Sequence, residues 1–304
     1  MREYKFEQLS ELKQGITPQQ PASLFESEKM IDYELILGEN LTASDILNMT
    51  GACNIASQFY DVNAAVIVKN SFPCGVALGQ SIKEAYEKAF DCDPIGAQNG
   101  IVAFTKPLDL ETAKILNFVN LVIAPNFDSD AIKFLEVKNE IKLVKLNTTL
   151  DKYKNYLNEE IYQTPFGTIV QEPNKSELDV ENFKVITKTK PTKEQIEDAI
   201  FAWKIAKYAK SNAVVVAKDF KTLSISQGFS SMVCAAEYAM NFSCDGSKES
   251  VVACDTIIPT KDTILAFIQG RASLVISPVA NPELITTADK YELAMINTAI
   301  SNTL

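Results

Sequence analysis

The 304-residue sequence holds 39 acidic against 29 basic residues, a formal charge of -10, with 46% hydrophobic and 22% charged residues. This composition excludes disordered and fibrous classes and, lacking a basic excess or stripe, argues against a nucleic-acid partner. Met1 to Gly15 has no apolar signal core, and no window reaches the roughly 18 uninterrupted apolar residues of a membrane span, so a soluble cytoplasmic protein with no membrane partner is expected.

Ala64 to Val68 is a short, β-branched apolar run ended by Lys69 and a turn at Pro73 and Gly75, which predicts a strand buried on both faces. Ser81 opens a helix with Glu84 three residues on, a capping box, and Ile82, Ala85, Tyr86 and Ala89 form its apolar face. Gly100 to Phe104 reads as a strand and Asp109 to Asn117 as a helix. Leu121 to Ala124 is a strand stopped by Pro125. A helix near Asp128 to Val137 and a strand at Ile141 to Leu146 complete the first half. Asn147 to Pro191 is polar and lysine-rich around one predicted hairpin, Thr164 to Gln171. The domain boundary is placed near its start, so that 1–150 form one unit and 151–304 a linker hairpin and a second unit. Thr192 with Gln195 caps the longest predicted helix, which runs to about Lys210. Strands follow at Ala213 to Ala217, Thr222 to Ser226, Val251 to Cys254, Ser273 to Ser277 and Leu293 to Ile296. Helices are predicted at Ser230 to Met240, at Lys261 to Gly270 and after Asn281-Pro282. Two successive α/β units, each a sheet covered by helices, follow.

Three residue types narrow the chemistry. The six cysteines are scattered without a CxxC pair, so buried free thiols are expected rather than zinc ligands or a disulfide framework. Histidine is absent, which excludes every mechanism that needs an imidazole base or ligand. Glycine numbers 11, about half its usual share of roughly 7%, so loops that bring backbone against a ligand are few.

In α/β folds ligands collect where loops leave the carboxyl ends of strands. That rule selects Lys69 and Asn70, Asp255, Ser277-Pro278 and the helix-to-strand junction Lys210-Ser211-Asn212. Each has a plainer alternative: Lys69 as a polar strand end in water, Asp255 as a helix cap, Asn212 as a turn residue.

Taken in order, the segments around these positions resemble AICAR transformylase, the formyl-transferring half of the bifunctional purine-biosynthesis transformylase/IMP cyclohydrolase family. Leu12 to Gln20 resembles LRYGxNPHQ, Val68 to Ala77 resembles VKHxNPCGVA, and Glu84 to Ala103 resembles EAYxxAxxxDPxSAFGGIVA. Phe118 to Pro125 resembles FVExIIAP, Phe201 to Ala213 resembles FAWKxxKxxKSNA, and Ala253 to Pro259 resembles ASDAFFP. The resemblance implies two cytidine-deaminase-like three-layer α/β/α subdomains, and a homodimer with active sites at the subunit interface. It also implies that the cyclohydrolase domain usually fused ahead is missing. The implied reaction moves a formyl group from 10-formyltetrahydrofolate to the amine of AICAR. A lysine-histidine pair would manage the proton and the charge of the tetrahedral carbon. Carried over by position, Lys69, Asn70 and Asn212 are the catalytic set, and Lys13, Gln14, Asp255 and Pro259 the substrate-binding set.

The departures fall in ligand-facing loops. Asn70 stands at the family's histidine and Lys13-Gln14 at its arginine-tyrosine. Met232 stands at the arginine of GxGxGQxSR, and Ile257 and Ile258 at an aromatic pair with Thr260 after them. Pro278 to Asn281 replaces PGGS, and in the terminal segment resembling TGxRHFRH, Ile300 stands at a second arginine and Leu304 at the last histidine. A degenerate member that works by binding or pairing, with itself or an intact paralogue, is therefore expected. Retained formyl transfer and a site repurposed for another small molecule are the alternatives. No metal or tightly held cofactor is implied. A purine nucleotide or folate would be the ligand, with 10-formyltetrahydrofolate as co-substrate only if activity is retained.

Overall fold

The computed structural model describes residues 3–26, 29–138, 141–154, 156–278 and 281–303. A hairpin of β1 (Glu7–Leu12) and β2 (Ala22–Glu26) precedes β3 (Tyr33–Leu37) and helix α1 (Ala43–Ala56). Then come β4 (Ala64–Lys69), β5 (Phe72–Leu78), α2 (Ile82–Phe90), β6 (Gly100–Phe104), α3 (Leu110–Ile115), β7 (Val119–Ala124), α4 (Ser129–Glu136) and β8 (Lys142–Leu146). A short α5 (Leu150–Tyr153) leads to a second hairpin, β9 (Glu160–Thr164) and β10 (Gly167–Gln171), and to β11 (Lys184–Val185). The second half holds α6 (Lys193–Ala206), β12 (Val214–Lys218), β13 (Lys221–Ser226), α7 (Met232–Ser243) and β14 (Val251–Cys254). It closes with α8 (Lys261–Gln269), β15 (Leu274–Ser277), α9 (Pro282–Lys290) and β16 (Ala294–Asn297).

The two α/β units expected as separate sheets share one mixed 12-stranded sheet, in the order β11-β16-β15-β14-β12-β13-β5-β4-β6-β7-β8-β3. They join where β13 lies antiparallel to β5, with Lys221 opposite Ala77. On either side of this seam the strand order and directions repeat: an antiparallel hairpin, an antiparallel neighbour, two parallel strands and an antiparallel edge. Alternate side chains of the central strands serve opposite faces. Val66 and Val68 pack with α1 and α6 on one side, while Ala65 and Ile67 pack with α2, α3 and α4 on the other. Val214 and Val216 pack likewise with α7, α8 and α9. Burial on both faces explains why these strands read as unbroken apolar runs.

Local chemistry accounts for most element ends, with some corrections. The turn after β4 is not at Pro73 and Gly75, which lie inside β5. It is Asn70-Ser71, both at positive φ (53° and 72°), between the paired Lys69 and Phe72. A two-residue hairpin loop requires that conformation, and asparagine tolerates it well. Pro73 is accommodated at a register shift in the β4–β5 ladder. At Gly75 a Cβ would collide with the Ala89 carbonyl oxygen, so glycine lets the end of α2 sit close on the sheet. Ser81 caps α2 as expected, but the Glu84 carboxylate takes the Gln80 N–H instead of closing the box on Ser81. The box at Thr192 and Gln195 is present, though α6 ends at Ala206 and is matched in length by the unexpected α1. Cys53, Cys92 and Cys254 are buried free thiols, whereas Cys234 and Cys244 are exposed.

The repeat reaches single side chains. Asn48 on α1 accepts the Ser71 N–H at 2.6 Å, and Asp198, at the matching place on α6, accepts the N–H groups of Asp219 and Phe220 at 2.9 and 2.8 Å. Asp219 and Phe220 also have positive φ, so the carboxylate secures an otherwise costly turn. Asp198→Ala is expected to cost about 2–3 kcal/mol by stranding two N–H groups, read as a lower urea midpoint at unchanged slope.

Candidate functional site

Strand directions place every expected site segment on one edge of the sheet. Because β4 and β14 run the same way and β12 runs opposite, the carboxyl ends of β4 and β14 and the amino end of β12 lie together on that edge. Lys69-Asn70, Asp255 and Asn212 therefore share it. The parallel strands β6, β7 and β8 contribute their amino ends there, since β6 is antiparallel to β4. A rule based on carboxyl ends alone thus covers only part of this edge.

Along the first half of the edge lies a cleft of about 800 Å³, within the usual range for small-molecule sites of about 300–1,000 Å³. Four of the expected residues line it: Lys13, Gln14, Lys69 and Asn70. Main-chain bonds dock the opening segment here, from Lys13 N–H to the Leu41 carbonyl (3.2 Å) and from Ala43 N–H to the Gln14 carbonyl (3.0 Å). Lys69 Nζ donates to the Gln98 carbonyl at 2.9 Å. The matching lysine of the second half, Lys218, donates to the Lys248 carbonyl at 3.1 Å, so this resting contact belongs to the repeated fold.

Residues that sequence reasoning missed also line the cleft. Asp45 accepts the Thr42 N–H at 2.9 Å, which caps α1, and holds Lys142 Nζ at 2.6 Å in a largely buried pair. The signal for them was the Thr42/Asp45 capping pair. With Glu39 and Glu136, the walls hold three carboxylates (Glu39, Asp45, Glu136) against three lysines (Lys13, Lys69, Lys142), a formal balance of zero.

Asn212, Asp255 and Pro259 do not line this cleft. Asp255 is fully buried, and it does not cap the following helix, whose N-cap is Thr260. Its Oδ1 accepts the Ala213 N–H at 2.8 Å, its Oδ2 accepts the Ser211 hydroxyl, and its carbonyl accepts the Asn302 N–H at 2.8 Å. Burial pushes its carboxyl above the usual carboxylate range, with these hydrogen bonds opposing. The Ser211–Asn212 peptide is cis, and the Asn212 amide donates to the Phe229 carbonyl at 2.9 Å. Pro259 is exposed. The two groups are tied across the seam by Gln227 Nε2 to the Pro73 carbonyl (2.8 Å) and by Lys210 over the Phe72 ring.

Where the resemblance implies other residues, three of the side chains present pack against the core. Met232 and Ile258 are in the core at 2% and 1% exposure, and Ile300 lies against it. Ile257 is exposed. Val279, Ala280 and Leu304 lie outside the described residues. Among the described residues no group of three or more Cys, Asp or Glu is arranged to hold a metal ion, and no helix is long and apolar enough to cross a membrane.

Comparison with known proteins matches residues 1–241 to the family described as AICARFT/IMPCHase bienzyme. The bifunctional purine biosynthesis protein PurH of Caldicellulosiruptor saccharolyticus is 36% identical over 97% of this chain and 59% of its own length. The PurH proteins of Thermoanaerobacter sp. and Brachyspira hyodysenteriae are 32% and 34% identical, over 98% and 95% of this chain and 59% and 57% of theirs. The chain therefore spans somewhat under two thirds of the length of these relatives. A solved protein of unknown function, ybgI, aligns over 62% of the chain at 12% identity with a TM-score of 0.16, too distant to inform the fold. A family match over residues 1–241, with relatives above 30% identity along nearly all of this chain, shows that it belongs to the AICARFT/IMPCHase bienzyme family.

Proposed function

We propose that this chain is an AICAR-transformylase-like protein whose formyl-transfer site has lost its proton-handling group, and that it works by binding or pairing. The carrying observation is the cleft itself: Lys69 stands beside Asn70 at the turn, and an asparagine amide exchanges no proton near neutral pH. Two further features point the same way. The cleft walls balance in charge, and Lys142 is already neutralised by Asp45, so little is left to hold a phosphate dianion. Met232, where the family resemblance implies an arginine, is buried in the core and offers no donor.

Each half is read as a cytidine-deaminase-like unit, which the repeated strand order supports. Pairing with a second copy or a paralogue is supported by the β9–β10 hairpin, where Ile161, Tyr162 and Ile169 are exposed and Phe166 stands fully in solvent at the tip. A two-stranded hairpin is marginal alone, and these apolar groups favour a partner surface. Pairing would also explain how Asn212 and Pro259, outside the cleft of their own chain, serve a site.

Calorimetry with AICAR and with a folate, beside a formyl-transfer assay, tests this reading. Micromolar AICAR binding without turnover is the expected result. Binding of neither ligand would replace it with the repurposed-site alternative. Turnover abolished by Lys69→Ala would establish the active formyltransferase instead.

A further inference from the structure

The seam that joins the two halves does not close along its length. Lys221 pairs with Ala77, but at the next position the Thr222 hydroxyl, not the main chain, bridges to the N–H and carbonyl of Val76. Toward the site edge the Gln227 side chain spans to Pro73. Between these bridges lies a slot of about 90 Å³, room for about three waters at about 30 Å³ each. It is distinct from the large cleft and shares no lining residue with it.

Ser224 lines this slot, is 0% exposed, and its hydroxyl has no hydrogen-bond partner. Ser226, two residues on and equally unpartnered, is not part of the slot wall. Native structures satisfy nearly all buried polar groups, so the Ser224 hydroxyl points to an occupant. Asp93 is the single charged residue of the wall. One of its oxygens accepts the Gly96 N–H at 2.8 Å, and it forms no ion pair among the described residues. Of the neighbouring cations, Lys69 is engaged by the Gln98 carbonyl and Lys210 lies over the Phe72 ring, while Lys221 lies near Cys92 and is not part of the slot wall. Tyr238 and Phe242, stacked with centroids 5.6 Å apart and partly exposed, flank the slot.

We propose that the slot binds a small planar cation of the guanidinium class. A guanidinium carries donors in a fixed plane for the Asp93 carboxylate and the Ser224 hydroxyl, and it stacks on aromatic faces. Its four heavy atoms suit the volume. A compact ammonium is more strongly hydrated and has no face to stack, and an anion would meet Asp93. Cys74 and Cys92 complete the wall as protonated thiols, since burial holds both at about 12.

The test is an NMR titration of the full chain with methylguanidinium at concentrations too low to denature, with urea as the neutral analogue of the same shape. One saturable site per chain is expected, with shifts at Ser224 and Tyr238 and clearly weaker binding of urea. Asp93→Asn and Ser224→Ala should each weaken binding about tenfold, and Ser226→Ala should leave it unchanged. Because Asp93 also holds a turn, near-UV circular dichroism checks that variant, and Ser224→Ala decides alone if it misfolds. Absence of saturation, equal binding of urea, or undiminished affinity in Ser224→Ala would overturn the proposal.

Discussion

Asn70→His is expected to raise formyl transfer by about 10²–10⁴-fold over the natural sequence, with KM for the nucleotide little changed. The expectation rests on geometry as well as chemistry. Asn70 lines the large cleft beside Lys69 at φ 53°, a conformation in which histidine is also enriched, so the substitution need not disturb the turn. The imidazole would supply a group able to take the proton of a weakly nucleophilic amine near neutral pH. KM should stay high because no arginine returns with it; Met232 still fills the core at 2% exposure. The double variant Asn70→His, Lys69→Ala should lose the gain. Steady-state assays with AICAR and 10-formyltetrahydrofolate provide the readout. If the single variant gains nothing, the missing histidine does not limit the site, and a changed ligand becomes the better account. If the natural sequence already turns over and Lys69→Ala abolishes it, the degenerate-site reading fails.

The second large effect concerns stability. Asp255→Ala is expected to cost about 2–5 kcal/mol, because it strands the Ala213 N–H in a fully buried place and removes the carboxylate that accepts from the Ser211 hydroxyl. Asp255→Asn should cost much less, since an amide can accept from Ala213 and donate to Ser211. Urea unfolding measures both. The two also differ in pH dependence. The folded-state pKa of Asp255 is raised above the unfolded value, chiefly by burial, and Asp198 is shifted in the same direction by the same cause. Folded chains therefore bind more protons between the ordinary carboxylate range and the raised value. The stabilising contribution is full below that window and is lost as pH rises through it. Asp255→Asn should remove its share of this slope and leave that of Asp198. An unchanged slope would show that Asp255 is not the titrating group.

The elements missed by sequence reasoning share a physical cause. Helix α1 buries Met49, Ala52, Cys53 and Ala56 along one stripe, but the buried Ile55 and the exposed Leu47 lie off it, so the apolar face is blurred in the sequence. The sequence points to Pro73 and Gly75 for the turn after β4 because those residues usually punctuate chains. Here the proline sits at a register shift and the glycine answers a helix end packed from another layer, and neither circumstance is local. The expected site residues were legible as strand ends and as a family resemblance. The acidic half of the cleft was not, because Glu39, Asp45 and Glu136 stand on segments separated along the chain and converge only when β3, β8 and α4 are placed.

Short-range chemistry and family descent are legible along the chain. The buried strands were marked by unbroken apolar runs, the caps by Ser81 and Thr192, and the loss of every imidazole by composition. How these parts combine is set by the fold. Strand directions bring Lys69, Asn212 and Asp255 to one edge, yet they separate a charge-balanced cleft from the Asp255 network. Strand pairing across the β5–β13 seam and burial between layers are long-range interactions, which no window of sequence contains.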